Sequence, residues 1–187
     1  MTAQDLHPPG KYRLRIADYV ALAEAGAFQG LRTELIEGDV IVMSPQFRPH
    51  GMVKQELYDR LRDALRALGS RFRPVTEFSL AIDDHNLPAP DVLLTSEPMG
   101  EGAVPLASVA LVIEVAGTTL ADDLGAKARL YARARIPEYW VADVKGRVVH
   151  QLWSPGGKGY GGRREVAFGE SLVAETIEGL VAGTAGL

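Results

Sequence analysis

The chain has 187 residues, 20 Lys and Arg against 24 Asp and Glu for a formal charge of −4, 47% hydrophobic and 24% charged residues, and no cysteine. That is the size and balance of one ordinary domain at 20.2 kDa, and it excludes disordered, collagen-like and coiled-coil chains. Without cysteine there are no disulfides, thiolate metal sites, iron–sulfur clusters or thiol nucleophile.

The opening MTAQDLHPPGKYRLRIADY carries Asp5 and two prolines where a signal peptide needs a basic end and an apolar run. No apolar stretch reaches the ~18 residues of a membrane span, so a cytoplasmic protein is expected. Ile16, Tyr19, Val20 and Ala23 recur at helical spacing and stop at Gly26, which predicts a short helix over 16–25 with a glycine cap. Thr33–Ile36 and Asp39–Met43 flank Glu37-Gly38 and predict a hairpin. Val53, Leu57, Leu61, Ala64, Leu65 and Leu68 form one stripe of a long helix ending at Gly69. Phe72–Ile82 reads as one strand, Asp91–Thr95 as a short strand after Pro88-Ala89-Pro90, and 96–105 as a loop. Val109–Val115 (VALVIEV) is apolar on both faces, as a central strand covered by helices would be. Leu120–Ala134 is a second amphipathic helix, stopped by Pro137. Glu138–Val144 and Arg147–Trp153 are strands joined at Lys145-Gly146, 154–162 is a loop, and Arg164–Phe168 is a last strand before a weakly patterned tail. Helices interleaved with strands and hairpins predict an α/β fold with a mixed sheet, as a single domain over 1–187.

The glycines at 157, 159 and 162 match G-x-G-x-x-G, but they precede a strand-like run and no helix follows, so a hairpin loop is expected. His7, His50, His85 and His150 show no metal-binding spacing, and no G-x-S-x-G elbow is present. The informative residues are acids. Glu114 alternates with Ala110 and Val112, so its carboxylate shares an apolar face, where it is costly unless paired, hydrogen-bonded or bound to a metal. Asp91 opens a strand directly after a proline that fixes its entry. Either residue could equally be a structural acid, capped or turn-forming. Lys127 lies on the inward edge of the second helix, three residues after Leu124 and four before Tyr131, where a lysine can also snorkel to solvent. Two strand-end carboxylates with one inward lysine suit metal-assisted phosphodiester hydrolysis.

The runs APDVLLTSEP, ALVIEVAGTT and DDLGAKARLYARARIPEYWVAD, with TELIEGDVIVMSP and RVVHQLW, resemble the bacterial Uma family of endonuclease-like proteins. That family belongs to the PD-(D/E)XK restriction-endonuclease-like superfamily, and the likeness spans roughly 16–180. The resemblance implies a restriction-endonuclease-like core, a mixed β-sheet flanked by helices. It makes Pro90-Asp91 the PD, Glu114 the D/E, and Lys127 the lysine displaced from position 116, where Ala116 stands. It also places Glu34 near the metal. It implies catalysis by Asp91, Glu114, Lys127 and Glu34, with Mg²⁺ or Mn²⁺ held by Asp91, Glu114 and Glu34, DNA as substrate and a homodimer. The sequence departs from the family at Ala-Gly-Thr-Thr after Val115, where a Ser-Pro turn is usual, and at Arg135, where glycine is common. His50 is a secondary candidate that could equally orient its helix, and Glu37 sits in a turn.

Lys54, Arg60, Arg62, Arg66, Arg71 and Arg73 outnumber Glu56, Asp59 and Asp63 by three along the long helix and its exit. Lys158, Arg163 and Arg164 decorate the glycine loop. Such charges can simply solvate a helix face, or they can bind phosphate. The rival to an endonuclease is a catalytically silent nuclease-fold module that binds or scaffolds.

Overall fold

The computed structural model describes residues 10–187, and the lead with Asp5 and His7 lies outside them. Helix α1 (Ile16–Glu24) closes at Gly26, whose φ of 83° needs no β-carbon. Strands β1 (Thr33–Ile36) and β2 (Asp39–Val42) form the expected hairpin. Glu37 and Gly38 both take positive φ there, giving the mirror-image turn that matches strand twist. Helix α2 (Arg48–Ala67) starts with Pro49 in its first turn and buries Val53, Leu57, Leu61 and Leu65 as one stripe.

The expected strand 72–82 is two strands, β3 (Arg73–Thr76) and β4 (Leu80–Ala81). The break falls at Glu77, whose left-handed φ of 59° ends the ladder. Its carboxylate is tied to Lys54 and Arg32. Strand β5 (Val92–Thr95) follows, and the expected loop after it contains β6 (Val104–Pro105), paired in parallel with β4. Strand β7 (Val109–Ala116) is buried at every position. The second amphipathic helix is three consecutive pieces: α3 (Leu120–Asp122), a widened π-helical turn (Asp123–Lys127) and α4 (Ala128–Arg133).

Strand β8 (Glu138–Asp143) precedes a long hairpin of β9 (Val148–Gly156) and β10 (Gly159–Ala167). The glycine-rich segment expected as a loop is therefore mostly strand, with Gly157-Lys158 alone between the two. Gly162 pairs across from Trp153, and a β-carbon there would fall inside the Trp153 indole. Glycine makes room for the ring rather than for a phosphate. The tail forms a further hairpin, β11 (Ser171–Val173) and β12 (Val181–Gly183).

Six strands make one mixed sheet in the order β10-β9-β8-β7-β5-β3. Only β7 and β8 run parallel, and α3–α4 is the crossover between them. On one face α2 and the tail pack Leu57, Leu61, Leu172 and Leu180 against Leu111, Ile113 and Trp140. On the other face α4 packs Leu130 and Tyr131 against Val112, Tyr139 and Val141. Cover on both faces explains why β7 reads as an unbroken apolar run. Among the described residues no helix is long and apolar enough to cross a membrane.

Candidate active site

Two adjacent strands present the acids. Val92 pairs with Ile113 in the antiparallel β5–β7 ladder, so the next step brings Asp91 opposite Glu114. Each holds the other's strand: Val115 N–H donates to Asp91 Oδ2 at 2.8 Å and Asp91 N–H to Glu114 Oε2 at 3.4 Å. Glu34 arrives from β1, where Leu35 bridges Leu87, and its Oε2 accepts from Ala89 N–H at 3.3 Å.

Lys127 comes from the widened turn before α4. Its ammonium donates to Glu114 Oε1 at 3.0 Å and stands 3.3 Å from Glu34 Oε1. The four residues expected from the resemblance are thus brought together. Glu34, Asp91 and Glu114 are almost fully buried, at 4, 6 and 4% exposure.

Sequence reasoning missed three further participants. Tyr131, placed among the apolar residues of its helix, donates its hydroxyl to Glu114 Oε1 at 2.9 Å. Its position four residues after Lys127 was the available signal. Gln46 donates to Asp91 Oδ1 at 3.0 Å and is itself held by Lys54 Nζ at 2.6 Å; it lies in an aperiodic link that gave no hint. Asp123, 3% exposed, is a fourth buried acid beside the cleft, with Thr119 donating to its Oδ2 at 2.6 Å. His50 does reach the site, its Nε2 lying 3.1 Å from Asp91 Oδ2, while its buried Nδ1 has no hydrogen-bond partner among the described residues. Glu37 does not: it points outward and pairs with Arg133 at 2.6 Å. His85 binds the Leu14 carbonyl and His150 pairs with Glu165, both away from the cleft.

The electrostatics follow from burial. Desolvation pushes the Glu114 carboxyl up to about 8, with Asp91, Asp123 and Glu34 adding to the rise and Lys127 opposing it. Burial likewise raises Asp123. For Lys127 burial works against the charge, yet Glu114, Glu34 and Asp123 outweigh it and hold the ammonium above the ordinary lysine value. Glu34 and Glu114 therefore share Lys127, while Asp91 and Asp123 add two further buried acids beside them.

Whether these groups suit a metal turns on their number and type. Among the described residues no three of His, Cys, Asp or Glu form a ready-made cage, and Lys127 is the cation shared by Glu34 and Glu114. Mg²⁺, however, is commonly held by one or two carboxylates plus waters. Hard oxygen donors in charge excess fit such an ion in type and sign. The groups border a cleft of about 990 Å³ that opens between the β1–β2 hairpin, the start of α2 and the end of β7. It is large enough for a nucleotide-sized ligand.

A crystal structure described as a "putative nuclease belonging to DUF820" from Anabaena variabilis is similar to this chain with a TM-score of 0.66 and 17% identity, covering 86% of this chain and 88% of that one. At that identity the likeness concerns the fold. No curated protein matches the chain. The family model described as "Putative restriction endonuclease" matches residues 16–185, a stretch that includes Glu34, Asp91, Glu114 and Lys127. The chain belongs to that family, Uma2, and its sheet and helices have the nuclease-like fold of its structural relative.

Proposed function

We propose that the cleft is the active site of a divalent-metal-dependent endonuclease that hydrolyses phosphodiester bonds in DNA. The observation that carries this is the cluster of four buried carboxylates, two of them paired to one ammonium, at the mouth of a sheet end, where α/β folds place their chemistry. Asp91 and Glu114 would hold Mg²⁺ or Mn²⁺, with Glu34 bound directly or through water. The ion, when bound, supplies a Lewis acid for the phosphate and a water of lowered pKa. Lys127 keeps its proton between two carboxylates, so it serves as a fixed positive charge for the phosphorane oxygens and not as a base. Tyr131 fixes the Glu114 rotamer, and Gln46 with His50 fixes Asp91. Two copies of the chain would cut the two strands of a duplex.

Saturation of Glu34 and Glu114 by Lys127, with no preformed cage among the described residues, favours one rival: a nuclease-fold module that binds or scaffolds without cutting. Supercoiled plasmid at low salt with Mn²⁺ or Mg²⁺ separates the two. The wild-type protein is expected to nick it. Lys127→Ala is expected to lose about 10²–10³ in rate, the scale of one electrostatic donor, while keeping the metal-induced rise in melting temperature. Asp91→Asn is expected to lose both. A contaminating nuclease would ignore all of these changes. DNA binding with metal and no cleavage on several substrates would make the scaffold the better reading.

A further inference from the structure

A second concavity, of about 420 Å³, lies at the opposite end of α2 from the cleft, where the helix exit meets edge strand β3. Its lining includes Tyr58, Arg62, Arg66, Arg71, Phe72 and Arg73. Arg62 is neutralised by Asp59 and Asp63. Arg66, Arg71 and Arg73 form no ion pair among the described residues, and all three are exposed. Arg73 donates to the Glu97 carbonyl, so in a chain of net charge −4 Arg66 and Arg71 are two guanidinium groups without a polar partner among the described residues, and together in one concave place they mark a site for an anion. The rings preorganise this site. Arg71 lies over Phe72 at 4.9 Å and Arg62 over Tyr58 at 5.8 Å, which holds the guanidinium planes before any ligand arrives. The other basic cluster does not compete: Arg163 pairs with Glu165 and Arg164 with Glu175.

The placement connects this pocket to the cleft. Lys54, Tyr58, Arg62 and Arg66 follow one another at four-residue steps along α2, with Lys54 paired to Glu77 and Arg62 to Asp59 and Asp63, so the unpaired charge is left at the far end, beside β3. At the cleft end Lys54 is tied to Gln46, which holds Asp91. The sixteen residue-to-residue steps from His50 to Arg66 span about 24 Å at 1.5 Å each, close to seven steps of a nucleic-acid strand at about 3.4 Å each.

We propose that the surface along α2 beside edge strand β3 is a track for the phosphodiester backbone of DNA, ending at an arginine pocket in which Arg66 and Arg71 each take a phosphate. The inference rests on the nuclease reading for the identity of the ligand. It predicts that the substrate is held at two points, the carboxylate cleft and the arginine pocket.

Fluorescence anisotropy with a labelled duplex of about 20 base pairs, with Ca²⁺ in place of Mg²⁺ to limit cleavage, tests it. Arg66→Glu/Arg71→Glu is expected to weaken binding at least tenfold and to lower the salt slope by about two, at close to one unit per lost phosphate contact. Arg66→Lys/Arg71→Lys should recover most of the affinity, and melting temperatures of both variants should match the wild type because the arginines are exposed and unpaired. Unchanged affinity and slope in the charge-reversed variant would overturn the track and leave the nuclease reading standing. Displacement of the duplex by pyrophosphate at equal affinity would also overturn it, since the pocket would then be a small-anion site. A wild-type protein that binds no DNA removes the nuclease reading and the track with it. One that binds DNA through the arginines without cutting keeps the track and removes only the catalysis.

Discussion

At the scale of single residues, the two strand-end acids are not equivalent, and removal of each has its own consequence. Glu114 has a folded pKa of about 8 against an ordinary 4.5. The folded state thus binds its proton more tightly than the unfolded one, so the contribution to stability is present in full below about pH 4.5 and is lost as pH rises through about 8. In EDTA the melting temperature should fall between pH 5 and pH 9, and Glu114→Gln, which mimics the protonated acid while Tyr131 and Lys127 retain an oxygen to donate to, should flatten that fall. A steeper fall in the variant would contradict the assignment. Asp91 behaves differently, because its carboxylate satisfies the buried Val115 N–H as well as Gln46. Asp91→Ala should cost about 1–3 kcal/mol by leaving that donor unmet, whereas Asp91→Asn keeps an acceptor and should cost less; denaturant melts of the pair measure the difference. From the sequence, repulsion among clustered carboxylates alone suggests that truncating either acid would leave the melting temperature in EDTA unchanged or raised. For Asp91 this overlooks a backbone donor that only the β5–β7 register reveals. Glu114 and Lys127 were legible because a charge at an apolar position of a strand or helix stands out. Gln46 was not, since it sits in a link with no period to violate.

Among the elements, those with a regular period were readable and those defined by an interruption were not. The stripe of α2 and the apolar run of β7 stand in the sequence as patterns, and the structure has both. The break between β3 and β4 depends on Glu77 adopting positive φ under the pull of Lys54 and Arg32, two partners remote in sequence. The extension of the β9–β10 strands into the glycine-rich segment was hidden by its glycines, which suggest a long hairpin loop until Trp153 is seen to occupy the space beside Gly162. Gly162→Ala should therefore be destabilising, by about 1–3 kcal/mol for an overpacked site, with unchanged stability as the outcome that would contradict it. Gly125 makes the opposite case. It lies in the π-helical turn with open space around it and ordinary helical φ, so Gly125→Ala should raise stability by up to about 1 kcal/mol. That turn also sets where Lys127 points, so plasmid nicking by the same variant reports whether its width matters to the site. Arg135, where the resemblance leads to the expectation of glycine, takes a left-handed φ of 61°, and its guanidinium is anchored on the Pro155 carbonyl at 2.8 Å.

Across the whole molecule, the cleft depends on parts far from it in sequence. Asp91 and Glu114 sit on adjacent strands of the central sheet, and α2 covers the face opposite Lys127. The tail, which reads as weakly patterned because its apolar residues alternate over only three-residue strands, completes that cover. Leu172, Ile177, Leu180 and Ala182 are buried in the same core as Leu57 and Leu61. Polar ties reinforce it: Arg60 donates to the Gly183 and Ala185 carbonyls at 2.7 and 2.6 Å. The buried Glu138 on β8 accepts from Glu175 N–H and Thr176 N–H, each at 2.9 Å. Removing residues 171–187 would expose the apolar stripe of α2 and leave the Glu138 carboxylate without those donors. Each of the three lost large aliphatic side chains is worth roughly 1.5–3 kcal/mol of burial, together comparable to the 5–15 kcal/mol stability of a typical domain. The truncated chain should therefore lose its cooperative thermal transition and bind a hydrophobic dye, and added Mn²⁺ should no longer raise a melting temperature. A truncated protein that melts cooperatively and still responds to Mn²⁺ would show that the sheet and α2 hold the carboxylates without the tail.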